Sequence, residues 1–338
     1  MKVYDKHSLN EYHQSLTYDD ISLIPTEVSR IKSRKEVDTT SKFLGINLAL
    51  PIISSPMESV TGIEMAIELY NLGCIGIVNR FDSSLNEILI NKNGKRKINA
   101  ISIALNTPLE TAKKLSEGRK IICIDTANAS NREVLKKTEQ LKNSLSAKII
   151  VGNIAHGESL RQLVDAGADG VRVGIGSGSV CSTSIQTGIG IGQVSSILDV
   201  FFTREKLKLN IAVIADGGIK GAGDVAKAIA LGADAVMLGR LLAGTRETPG
   251  EVIRYSDQLW KKYRGSASFG VKMKNEFIEG EETMVAYKGA VKNVVNAVSD
   301  GLRSSMSYMN CKSIDELRKT ETFAVLSNSS FLERLPKP

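Results

Sequence analysis

Histidine, cysteine and aromatic residues are scarce in this 338-residue chain, and each scarcity removes a class of chemistry. The three histidines stand at 7, 13 and 156, the first two in a polar N-terminal arm. A histidine-based metal site or a Ser-His-Asp triad therefore has little to be built from. The four cysteines, at 74, 123, 181 and 311, show neither a CxxC pair nor metal-ligand spacing. Cys74 and Cys123 stand in apolar runs, as buried small hydrophobes do, and this usage points to a reducing cytoplasm. Aromatics make up 5% of the chain, with one tryptophan. The short basic run at Lys92, Lys95, Arg96 and Lys97 has no stacking platform beside it and reads as a solvated turn, so no nucleic-acid partner is expected. No apolar run reaches the length of a membrane span, and the first residues are polar rather than signal-like, so no membrane partner is expected either.

What is present is an ordinary globular composition, 42% hydrophobic and 24% charged, with a formal net charge of +7 that favours anionic ligands. Short, continuous apolar runs at 51–55, 74–79, 100–105, 121–125, 149–152, 170–174, 211–215 and 235–239 have the character of buried parallel strands. Segments with helical periodicity lie between them, at 62–72, 109–116, 131–142, 159–166, 192–198 and 223–231. Glycine repeatedly ends a helix just before the next strand, at Gly73, Gly167 and Gly232. Eight such units predict an α/β fold, a (β/α)8 TIM barrel forming a single domain over 1–338. A doubly wound open sheet is the alternative, but no strand–GxGxxG–helix unit with a following acid stands in the first half.

In such a barrel the loops after the strands form the active face, and phosphate is often held after the seventh and eighth. Those loops carry Asp216, Gly217 and Gly218, and then Gly239 and Arg240. Glycine amides and a forked guanidinium both suit a phosphate. After the sixth strand, glycines at 174, 176 and 178 lead to Cys181, and more follow at 188, 190 and 192. A thiol in a shaped loop beside a phosphate cradle suits covalent attack on an electrophilic carbon of a bound nucleotide, and exposed carbonyls there could hold a monovalent cation. Beyond the eighth unit a polar, acidic excursion, a strand pattern over 284–287 and a helix over 290–308 suggest a flap at 264–288.

The segment from Gly174 through Ser177 and Ser179 to Cys181 and Thr183 resembles the catalytic loop of the IMP dehydrogenase and GMP reductase family. The segments at 16–25, 55–60, 214–219 and 236–244 resemble other parts of that family in the same order. The resemblance implies a purine monophosphate (GMP or IMP) as ligand, a nicotinamide cofactor, a homotetramer, and attack of Cys181 on purine C2. Carried over residue by residue, it places Ser179, Gly218, Gly239, Arg240 and Tyr263 at the phosphate, with Gly217 beside them and Asp216 on the ribose hydroxyls. Tyr263, Gly265, Ser266 and Ser268 fall in the purine-binding loop. Asp125, with Thr126 and Ala127, falls on the cofactor side, and the carbonyls of Gly176, Gly178 and Cys181 match the family's potassium site.

Two activities then compete. The family's dehydrogenases use an Arg-Tyr pair in the flap to activate water, and most carry an inserted pair of regulatory domains. This chain has no arginine between Ser266 and Lys288, and its early βα loops are too short for a CBS-type insertion. The reductase features fit better: a basic stretch after Ile31, the loop from Tyr263 to Ser268, and Glu279 as the flap carboxylate that, with Thr183, assists ammonia departure. The resemblance thus implies an NADPH-dependent GMP reductase. A dehydrogenase lacking the insertion, or a purine-nucleotide-binding barrel without turnover, is the alternative. The chain departs from the family pattern at Glu58, Asn79-Arg80-Phe81, Ser177, Ser184 and Arg240, and the arginine alters the phosphate pocket.

Overall fold

The computed structural model describes residues 3–12, 14–82, 98–179, 183–265 and 282–333. Before the barrel come the short strands β1 (Ile21–Leu23), β2 (Ser41–Phe43) and β3 (Ile46–Leu48). Eight parallel strands then close on themselves: β4 (Ile52–Ser54), β5 (Ile75–Val78), β6 (Ala100–Ile103), β7 (Ile121–Asp125), β8 (Lys148–Ile154), β9 (Gly170–Val173), β10 (Ala212–Asp216) and β11 (Ala235–Leu238). Each falls on one of the apolar runs, and the closed barrel replaces the open-sheet alternative. Gly73, Gly167 and Gly232 all have positive φ, the backbone that glycine supplies where a helix hands over to a strand.

Successive strand residues point to opposite sides, and in a barrel those sides are the interior and the helical layer. Ile53, Ile75, Ile77, Ile121, Cys123, Ile150, Ile214, Ala235 and Met237 fill the interior, plugged at the strands' N-terminal end by Phe43, Ile46 and Leu48 of the β2–β3 hairpin. Their neighbours Ile52, Ile122, Ile149, Val171, Val213 and Val236 face the helices. Both sides are apolar, which is why the strands read as unbroken hydrophobic runs. The charged residues on the inward parity toward the C-terminal ends of the strands are Asp125, Arg172 and Asp216, where the barrel mouth begins.

Two features differ from the sequence pattern. The helix expected over 192–198 continues as Gln193–Leu207, because Asp199 faces inward and accepts a hydrogen bond from the Gly157 amide at 2.7 Å instead of ending the apolar stripe. The segment around Trp260, to which the sequence pattern assigns no element, is strand β13 (Gln258–Arg264), paired antiparallel with β12 (Ile253–Tyr255) and β14 (Glu282–Ala286). The buried Lys261 ammonium donates to the carbonyls of Thr245, Arg246 and Thr248 at 3.2, 3.2 and 2.6 Å, pinning this sheet to the chain after β11. At its far end the Arg264 amide donates to Ser59 Oγ at 2.9 Å, tying β13 to the loop after β4. The expected flap, 264–288, thus has described ends, and residues 266–281 lie outside the described residues. Strand β1 pairs with β15 (Phe323–Val325), which joins the two ends of the chain.

Candidate active site at the barrel mouth

The loops after β9, β10 and β11 converge on a cavity of about 570 Å3. It brings together Ser179, Asp216, Gly217, Gly218, Gly239, Arg240 and Tyr263, with Gly178 on the same wall. These lie far apart in sequence, and only the barrel makes them neighbours. The opposite end of the barrel holds a larger hollow of about 760 Å3. The lysine and arginine there that approach Asp169 and Asp234 are already paired with them, Lys148 at 2.9 Å and Arg204 at 2.7 Å.

One end of the cavity is built for an anion. Gly217 and Gly218 both have positive φ (115° and 72°), and neither amide finds a protein acceptor among the described residues. The Tyr263 hydroxyl, buried and 3.2 Å from Ser179 Oγ, faces the same space. Burial pushes its pKa up, so it stays a neutral donor. Arg240 has no ion-pair partner among the described residues. Lys288, at the root of the helix Val291–Tyr308, donates to the carbonyls of Arg240 and Leu241 at 2.9 and 3.0 Å. Its pKa is lowered by burial and then by the Arg240 cation. Lys220, by contrast, is ion-paired with Asp19. Two cations that repel one another beside free amides make a site that an anion stabilises.

The loop leading to Cys181 is anchored from below. Ser177 Oγ donates to the Gln193 Oε1 at 2.7 Å, and Gln193 Nε2 donates to the Val173 carbonyl at 2.6 Å. The N-terminal arm holds the other side, through the Gly192 amide on Ser15 Oγ at 2.7 Å. Gly176 has φ 85° in this loop, and Thr183 opens the short helix Thr183–Thr187, off the described cavity walls. Cys181, Glu279, Ser266 and Ser268 lie outside the described residues. Gly265 is described and buried, but does not line the cavity.

Asp216 reaches the cavity with one oxygen occupied and the other open. Its Oδ2 accepts from Arg172 Nε and Nη2 at 3.0 and 2.9 Å and from Asn153 Nδ2 at 2.9 Å. No hydrogen bond to Oδ1 is made among the described residues. Asp125, Thr126 and Ala127 do not line this cavity. Asp125 sits across the mouth, where its Oδ1 accepts from Arg172 Nη1 at 2.7 Å and its Oδ2 from Arg80 Nε at 3.3 Å. Arg80 also lies over the Phe81 ring, 4.1 Å from its centroid. Thr126 spends its amide on the Gly152 carbonyl at 3.0 Å, and Ala127 is exposed. Both Asp125 oxygens are thus occupied by guanidinium groups, and the partly exposed Arg80 is the more accessible of the two cations.

Sequence reasoning missed Arg172 and Lys288. A signal existed for the first: an arginine at inward parity within a buried strand must find carboxylates, and Asp125 and Asp216 share its parity. Lys288 carried no such mark, since its role depends on where β14 returns. Among the described residues no group of three His, Cys, Asp or Glu side chains could hold a metal ion, and no helix is long and apolar enough to cross a membrane.

Known proteins agree with this architecture. The sequence model of the IMP dehydrogenase / GMP reductase domain matches residues 15–337. An inosine-5'-monophosphate dehydrogenase of Cryptosporidium parvum is 32% identical, over 95% of this chain and 94% of its own length. A GMP reductase of Bacillus subtilis is 33% identical, over 93% of this chain and 97% of its own. The crystal structure of a GMP reductase from Trypanosoma brucei in complex with guanosine 5'-monophosphate superposes with a TM-score of 0.90 at 25% identity, covering 97% of this chain and 98% of that one. Barrel, ordered motifs and relatives coincide over nearly the whole chain, which belongs to the IMP dehydrogenase / GMP reductase family of oxidoreductases.

Proposed function

We propose that the protein is a GMP reductase, converting GMP to IMP and ammonia through a covalent bond between Cys181 and purine C2. The observation that carries this choice is the segment 266–288, which has no arginine to activate water but has Glu279 to deliver a proton. Shortness of the early βα loops does not decide it, because the chain spans 94% of the length of a dehydrogenase.

In this reading the phosphate lies against the free amides of Gly217 and Gly218, with Gly239, Ser179 and Tyr263 around it and Arg240 and Lys288 balancing its charge. The open Oδ1 of Asp216 accepts from the ribose hydroxyls, and Gly265, Ser266 and Ser268 flank the base. The Cys181 sulfur forms the bond to C2, Thr183 and Glu279 hand a proton to the departing amine, and release of the thiolate ends the cycle. The nicotinamide cofactor, NADPH in this reading, supplies the hydride when bound beside Asp125, Thr126 and Ala127. Carbonyls of Gly176, Gly178 and Cys181 form the seat of a potassium ion. The same reading places a homotetramer in the cytoplasm.

With GMP present, NADPH oxidation should proceed with an equal release of ammonia. NADH formation from IMP and NAD, with no turnover of GMP, overturns the reading in favour of the dehydrogenase, the activity named for the relative from Cryptosporidium parvum. Charge-assisted hydrogen bonds are worth ~1.5–3 kcal/mol. Replacing Arg240 by alanine should therefore weaken GMP binding by at least about tenfold in titration calorimetry and leave guanosine binding unchanged. An equal loss for both ligands would move Arg240 away from the phosphate.

A further inference from the structure

We propose that Arg172 is a positioning residue that couples the nucleotide side of the mouth to the cofactor side, by holding Asp216 and Asp125 on one buried guanidinium. The proposal rests on the reading that Asp216 meets the ribose and Asp125 the cofactor. Arg172 is 6% exposed, and its three guanidinium nitrogens are all engaged: Nη1 with Asp125 at 2.7 Å, Nε and Nη2 with Asp216 at 3.0 and 2.9 Å. Burial alone would lower its pKa, but Asp216 and then Asp125 outweigh burial and raise it, so it is a permanent cation.

The space for this clamp is built in on the neighbouring strand. A Cβ on Gly152 of β8 would stand 2.4 Å from Arg172 Cβ, so the arginine takes its path because residue 152 has no side chain. The next residue, Asn153, completes the cradle by donating both to Asp216 Oδ2 at 2.9 Å and to the Gly174 carbonyl at 2.8 Å. Among the described residues Asp125 has a second cation in Arg80, whereas Asp216 is paired with Arg172 alone. The guanidinium is thus shared between two acids that face two ligands. Whatever loosens its hold on one acid strengthens its hold on the other. Stability alone gives no reason for such a triad, since buried ion clusters are commonly replaced by apolar side chains without loss.

The experiment is calorimetric titration of the full-length protein with GMP and no cofactor. Asp125→Asn removes a charge that does not line the nucleotide cavity. Arg172 should then draw Asp216 inward and weaken GMP binding by about fivefold, the lower end of measured site–site couplings. Binding of 2′-deoxyguanosine monophosphate, which lacks one of the hydroxyls that meet Asp216, should change less. In an Arg172→Lys background, which keeps the charge but cannot bridge both acids, the Asp125→Asn effect should vanish. Unchanged GMP affinity in Asp125→Asn, with an unchanged melting temperature, overturns the proposal, and so does an equal change for both nucleotides. The single Asp125→Asn variant decides the matter even where Arg172→Lys fails to fold. Absence of GMP binding by the unsubstituted protein refutes the reading of the site instead, and the proposal with it.

Discussion

Cys181→Ala is expected to leave a protein that binds GMP within a few-fold of the unsubstituted affinity and turns it over at least about 10^4-fold more slowly, the scale on which enzymes lose rate when a nucleophile is removed. Burial pushes the Cys74 thiol up to about 12. Cys123 is pushed to about 12 as well, because its burial outweighs the nearby Arg172 cation. Cys311 is also buried, and its pKa is raised. At neutral pH these three are protonated thiols away from solvent, unable to attack a ligand. Cys181 is the one remaining cysteine, and in sequence it follows Ser177, Gly178 and Ser179, which line the cavity, so the proposed covalent step falls to it. Mass spectrometry should find a purine adduct on the Cys181 peptide of the unsubstituted protein and none in the alanine variant. Turnover above about one per cent in the variant would exclude covalent catalysis by this residue.

The barrel was legible because its strands are buried on both faces. Runs such as Ile121, Ile122, Cys123 and Ile124 are apolar without alternation, and glycine marks the return from each of three helices. Much of the cavity was legible for a similar reason: Gly217, Gly218, Gly239 and Arg240 all follow strand ends by one or two residues, so the fold alone brings them together. What stayed hidden depends on return paths. Lys288 reaches the Arg240 carbonyl only because β14 pairs with β13, and no local pattern announces that pairing. Strand β13 itself is rich in lysine and arginine and lacks the apolar run that marks the barrel strands. Its buried Lys261 is satisfied by three carbonyls, so a charge in the sequence becomes a tether in the fold. Arg172 was legible in principle, as one cation in the hydrophobic run Gly170–Val173 at the parity of Asp125 and Asp216.

The second large effect concerns stability and is expected at Gly174, where the loop toward Cys181 leaves β9. This residue has φ 140°, a backbone that L side chains rarely adopt. A Cβ there would stand 2.1 Å from the Asp216 carbonyl oxygen and 2.4 Å from Gln193 Oε1. Neither neighbour gives way easily. The carbonyl belongs to the end of β10, and Gln193 is 1% exposed and held by Ser177 and Val173. Backbone strain of ~1–3 kcal/mol adds to an overpacking cost of ~1–3 kcal/mol, so Gly174→Ala should destabilise by about 3 kcal/mol or more. At this chain length that lowers the melting temperature by roughly 4 °C or more. GMP affinity should fall with it, because relief of the clash displaces Asp216 and the amides that follow it. Gly223→Ala supplies the contrast. That residue lies in the first turn of the helix Ala222–Ala230, with nothing within 4 Å of an added Cβ and no positive φ. It should melt within a degree or two of the unsubstituted protein, or slightly above it, since alanine is the better helix former by ~0.8–1.0 kcal/mol. If both variants melt alike, the close approach of β9 to β10 at the mouth is not what holds the loop in place.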